Sequence, residues 1–106
     1  MKGDDIAERS LEFSVTVLRV VANLSAHPEG RYIASQLARS GTAPGAHYEE
    51  ARRAESTSDF VHKLRIGAKE AGESVYWLKL TERRMAMSEH GVAMRMRRFC
   101  AQIISS

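Results

Sequence analysis

Cysteine is almost missing from this sequence: Cys100 is the only one in 106 residues, so no disulfide within the chain can staple the fold. Proline is nearly as scarce, with Pro28 and Pro44 alone. No apolar/polar alternation is long enough for a strand, which excludes a sheet-based architecture. The longest apolar run, residues 15–24, is interrupted by Arg19 and falls far short of the roughly 20 residues of a membrane span. The opening MKGDDIAERS carries acids where a secretory signal has an apolar run, so a reducing cytoplasm and no membrane partner are expected. No Glu-x-x-His pair and no G-x-x-x-x-G-K loop occurs, which removes the usual di-iron bundle and phosphate-loop signatures. With no positioned nucleophile or oxyanion motif either, no enzymatic activity, cofactor, catalytic residue or metal site is expected.

What is present is helix-forming. Ala, Arg, Glu, Leu and Met dominate, and the apolar share of 43% suffices for one core, so residues 1–106 are expected to form a single all-α domain. A first helix is predicted from Asp4 and Asp5, whose charges suit a helix N-terminus, to Ser25. At 100° per residue, Ile6, Phe13, Val17, Val20 and Leu24 share one stripe, while Leu11, Val15, Leu18 and Ala22 form another roughly 160° away. Two opposed apolar stripes need two partners. The second is expected to meet another subunit.

A second helix is predicted from Glu29 to Glu55, with Ile33, Leu37, Ser40, Pro44, His47 and Ala51 on one face. Pro44 removes the donor to the Ser40 carbonyl, at about 3 kcal/mol in a helix interior, so a kink or a restart capped by Thr42 is expected. Gly41 and Gly45 would allow a neighbouring backbone to approach closely. Ser56 or Ser58 caps the third helix, with Asp59 in its first turn. Its expected core stripe is Phe60, Leu64, Ala68, Ala71, Val75 and Leu78, with Lys63, Ile66, Glu70, Glu73 and Trp77 on another side and Asp59/Lys63 and Lys69/Glu73 as pairs four apart. A fourth helix over 88–104 is predicted from Val92, Met96, Phe99 and Ile103, completing an antiparallel up-down-up-down four-helix bundle. Cys100 reads as a small core residue there, and Met85, Met87, Met94 and Met96 as gap fillers.

The motifs Q-L-A-R-S-G-T (36–42), Y-E-E-A-R-R-A-E-S (48–56), D-F-V-H-K-L-R-I (59–66), K-E-A-G-E-S (69–74) and Y-W-L (76–78) follow one another in order. As a set they resemble the four-helix-bundle proteins first noticed as reading frames inside intervening sequences of bacterial large-subunit ribosomal RNA genes. The resemblance runs from Phe13 to about Leu80. It implies a left-turning antiparallel bundle assembled as a ring-like homopentamer, with no enzymatic activity established for the family as a whole. The expected subunit interface comprises Leu11, Val15, Leu18 and Trp77. Ala43, Pro44 and His47 stand where the family has Ser, an aliphatic residue and Asn. By the same resemblance, His47, Glu50, Glu70 and Glu73 are expected to form a structural polar cluster, with His47 buried near Pro44 and hydrogen-bonded.

Charge supplies the functional expectation. The formal net charge is +3, and Arg83, Arg84, Arg95, Arg97 and Arg98 crowd a C-terminal stretch opposed only by Glu89. Fivefold symmetry would multiply that charge into a phosphate-binding ring. One relative of the family acts as an accessory to a reverse transcriptase and binds nucleic acid. RNA or DNA is therefore the expected ligand of these five arginines, with the bundle as a scaffold for another protein; a protein-binding adaptor without nucleic-acid affinity is the alternative.

Overall fold

The computed structural model describes residues 2–24 and 27–85. Among them the chain forms three helices, α1 (Lys2–Ala22), α2 (Pro28–Arg52) and α3 (Thr57–Met85), and no strand. The predicted fourth helix over 88–104 lies outside the described residues, as do Arg95, Arg97, Arg98 and Cys100.

α1 carries Asp4 and Asp5 in its first turn, where the exposed N–H groups favour negative charge. It ends at Ala22 rather than Ser25, because Asn23 and Leu24 tighten into i−3 bonds to the Val20 and Val21 carbonyls at 3.0 Å. α2 starts on Pro28, whose missing N–H costs nothing at a first helical position. Its end falls at Arg52, with the Arg53 and Ala54 amides donating to Glu50 and Ala51. At α3 Ser56 is the cap: its Oγ accepts the Asp59 amide at 3.1 Å.

Pro44 produces no restart. α2 runs through it unbroken, and Thr42 is no cap but donates its hydroxyl to the Ala38 carbonyl at 2.7 Å. The close approach foreseen at Gly41 and Gly45 is to α1. A Cβ on Gly41 would lie 2.7 and 2.8 Å from the two Val17 methyls, and one on Gly45 would lie 3.3 Å from Ser10 Cβ.

Antiparallel order is fixed by contacts along the whole of α2, which packs against both other helices. At one end Tyr48 donates to the Gly3 carbonyl and Arg52 pairs with Asp4 at 2.6 Å. At the other, Arg84 of α3 pairs with Glu29 at 3.1 Å. Val17, Val20, Leu24, Ile33, Ala34, Leu37 and Leu78 make the core, with Phe13, Val21 and Trp77 packed on it. The first α1 stripe thus supplies the core, although Ile6 at its start is exposed.

On α3 the expected stripe is displaced. Leu78 is buried in the core as expected, but Phe60, Leu64 and Ala68 are exposed, and Gly67, Ser74 and Thr81 are buried in their place. Small residues let α3 lie close to α2, and the two buried hydroxyls are satisfied within their own helix, Ser74 donating to Ala71 and Thr81 to Trp77. The displaced apolar residues instead border an open trough between α1 and α3. It holds about 570 Å³ and is walled by Ile6, Phe13, Pro44, Ala71 and Val75, with Leu64 and Ala68 on its extension toward Tyr48.

Candidate functional site

The predicted polar cluster is divided in two. Glu70 and Glu73 are bound by Arg39 of α2, whose guanidinium contacts Glu70 at 2.6 Å and also bonds Glu73 and Gln36. His47 and Glu50 sit about 12 and about 16 Å further along α2 from Arg39, at the 1.5 Å rise per residue, where Glu50 takes the Lys63 ammonium at 3.1 Å. His47 does not have its expected hydrogen bond. Its side chain is only 26% exposed, yet its buried Nδ1 has no hydrogen-bond partner and lies 3.6 Å from the Glu50 carboxylate, beyond bonding distance. The helical pairs Asp59/Lys63 and Lys69/Glu73 also give way, since Lys63 and Glu73 are engaged across helices instead.

These contacts set the local electrostatics. The Trp77 indole N–H, 2.9 Å from Glu73, holds that carboxyl below the usual range of 4.5, helped by Arg39 and opposed by partial desolvation. Glu50 is lowered chiefly by its bond to Lys63. Glu29 is lowered first by a backbone hydrogen bond and next by Arg84. Glu29, Glu50 and Glu73 are thus committed to partners within the chain. Among the described residues, no three His, Cys, Asp or Glu side chains converge as a metal would require.

Trp77 is half-buried between two exposed tyrosines. Tyr32 of α2 meets it edge-on at 5.8 Å and Tyr76 at 5.1 Å, with the tyrosines 59% and 60% exposed. Sequence reasoning singled out neither tyrosine nor Arg39. Their signal was spacing: Tyr32, Gln36 and Arg39 lie on one side of α2 as Glu70, Glu73 and Trp77 do on α3, but joining the two sets requires the antiparallel register.

Of the expected ligand arginines, Arg83 is exposed in the last turn of α3 and Arg84 is occupied by Glu29. Arg83 also ends a line along the outer face of α3. Arg65, Lys69, Gly72, Tyr76, Lys79 and Arg83 follow alternating steps of four and three, and all are exposed. Of the expected interface residues, Leu11, Val15 and Leu18 are 59%, 43% and 49% exposed on the side of α1 away from the core, while Trp77 packs on the core cluster. No helix among the described residues is long and apolar enough to cross a membrane.

Antiparallel amphipathic helices, tied by ion pairs across their seams and leaving charged and apolar outer faces, define an all-α protein of the helical-bundle kind. The chain belongs to the 23S rRNA-intervening sequence protein family, which matches residues 3–104. It is similar to a crystal structure of a protein with unknown function from the S23 ribosomal protein family of Bacteroides thetaiotaomicron, at 33% identity and a TM-score of 0.78, over 97% of this chain and 91% of that one. No curated protein matches the chain.

Proposed function

We propose that this chain is a non-enzymatic, self-associating helical bundle that binds RNA or DNA through a basic surface. The observation that carries the reading is how the acids are used. Glu29, Glu70 and Glu73 are taken up by Arg84 and Arg39, so Arg83 projects from α3 without an ion-pair partner among the described residues, just where the Arg-rich stretch begins. Arg95, Arg97 and Arg98 would extend that charge. The trough walled by Ile6, Phe13, Ala71 and Val75 is open and apolar enough to take a further amphipathic helix of the bundle. The exposed Leu11, Val15 and Leu18 then serve contacts between copies, for which a pentameric ring is the expected form. A cytoplasmic setting suits such a protein.

Titration of labelled RNA and DNA against salt tests the reading, because each phosphate contact should add a slope of about −0.7 to −0.9 in log affinity against log salt. Replacing Arg95, Arg97 and Arg98 with Gln should flatten that slope while light scattering shows an unchanged oligomer mass. Absence of binding even at low salt would transfer the function to a protein-binding adaptor, with the arginines as a solubilising face.

A further inference from the structure

We propose that the outer face of α3 is a track for single-stranded nucleic acid, in which Arg65, Lys69, Lys79 and Arg83 hold phosphates and Tyr76, backed by Trp77 and Tyr32, stacks a base. This inference rests on the nucleic-acid reading above; it extends the contact surface from the C-terminal arginines along α3 and specifies the strandedness of the ligand.

Spacing is the first support. Residues 65, 69, 72, 76, 79 and 83 form one line about 27 Å long on a straight helix. It contains four basic residues, one tyrosine and one glycine, and no acid. Exposed helix faces ordinarily mix both signs; this one is positive throughout, and none of its four basic side chains has an ion-pair or hydrogen-bond partner among the described residues. The nearest acid on the tyrosine side, Glu73, is held by Arg39 and the Trp77 indole, so it is already compensated.

Aromatic placement is the second. Trp77 is anchored in the core and meets Tyr76 and Tyr32 edge-on, at interplanar angles of 79° and 80°. That support orients both tyrosines while leaving them about 60% exposed. A positive groove or stripe interleaved with exposed rings is the arrangement that tracks a single strand, since every base offers a π-face for stacking. A duplex keeps those faces inside its own stack, and an acidic polypeptide would satisfy the lysines while leaving the tyrosines without a counterpart.

The test uses the full chain, a labelled 15-nucleotide oligo(U) RNA, a duplex of equal length and polyglutamate, with binding read by anisotropy and by emission of Trp77, the only tryptophan. Oligo(U) should quench Trp77 and bind more tightly than duplex. Tyr76→Ala should weaken oligo(U) binding about tenfold while hardly changing duplex binding, Tyr32→Ala should weaken it by less, and Tyr76→Phe should retain it. Lys69→Gln, Lys79→Gln and Arg83→Gln should each reduce the salt slope by about 0.7. All these positions are exposed, and unchanged far-UV helicity and thermal melts confirm that the fold is intact. Nucleic-acid binding that the tyrosine variants leave unchanged, or that only the Arg95, Arg97 and Arg98 variants remove, overturns this inference and leaves the broader reading standing. No binding of either nucleic acid at low salt overturns both, and polyglutamate binding as tightly as oligo(U) replaces the track with a site for acidic proteins.

Discussion

Replacing Gly41 with Ala tests how tightly α1 and α2 are joined. The added Cβ would lie 2.7 and 2.8 Å from the Val17 methyls and 3.1 Å from Val17 Cβ, where ordinary contact begins at 3.4 Å. Val17 is fully buried, and a β-branched side chain in a helix has one strongly preferred rotamer, so it cannot swing aside. α1 must retreat by about 0.7 Å, loosening the core around Leu37 and Leu78; overpacking of this kind costs about 1–3 kcal/mol. Against it stands a gain of about 1 kcal/mol from removing glycine from a helix interior. Gly72→Ala measures that gain alone, because a Cβ there meets no described atom within 4 Å. In urea melts at constant m-value, the difference between the two variants therefore isolates the clash, expected at about 1–3 kcal/mol with Gly41→Ala the less stable. In a Val17→Ala background the penalty should vanish, leaving Gly41→Ala neutral or stabilising. Equal shifts for Gly41→Ala and Gly72→Ala, with no coupling to Val17, would refute the argument.

Three other outcomes follow from the same contacts. Glu29, Glu50 and Glu73 have lowered folded-state pKa values, so their stabilisation is fully present above the ordinary value of 4.5 and is lost as pH falls through the lower folded values; the melting temperature should drop over that acid window, and a Glu73→Gln variant that drops just as far would remove Glu73 from the account. Arg39→Gln leaves Glu70 and Glu73 facing each other without their cation, so it should lower the melting temperature at low salt and do so less at high salt; a salt-independent effect would point to packing of the Arg39 stem instead. His47→Leu should change stability by less than about 1 kcal/mol, since its Nδ1 forms no bond to lose; a loss of 3 kcal/mol in urea melts would restore the hydrogen-bonded role expected from the family pattern.

How much of this could be read from the sequence depended on whether an element answers to its own periodicity or to a neighbour's register. α1 answers to its own: Val17, Val20 and Leu24 fall on the stripe that its apolar residues define, and the core forms there. The α3 cap, expected at Ser56 or Ser58 and found at Ser56, and the α2 start, expected at Glu29 and found one residue earlier at Pro28, are equally local. α3 answers to α2. Beside the expected Leu78 its buried face is made by Gly67, Ser74 and Thr81, which a count of large apolar residues passes over, because small side chains let two backbones approach closely. The same dependence hid Arg39, whose partners lie 31 and 34 residues away, and scattered Tyr32 from Trp77 until the helices were laid antiparallel. Pro44 is the converse case: a strong local rule called for a kink or a restart, and of the two the restart does not occur, α2 continuing through it with α1 and α3 packed against the same helix.

The outer faces follow from this division. α2 binds the acids Asp4, Glu70 and Glu73 with Arg52 and Arg39, so these carboxylates serve to align the helices. Positive charge that is not needed for alignment is left on the surface of α3, in a line that helical geometry makes straight. Apolar surface not needed for the core is left on α1, at Leu11, Val15 and Leu18. A helix pair could dispense with both residues of charge and residues of grease at no cost to its fold, so the two faces are where substitutions should leave helicity intact and change what the protein associates with. Charging the α1 face with Leu18→Glu is the sharpest form of that argument: helicity should persist while the mass by light scattering falls toward the 11.8 kDa of one chain. An unchanged oligomer mass would place the contact between copies on another face, and a wild type that already runs as one chain would refute the proposed self-association.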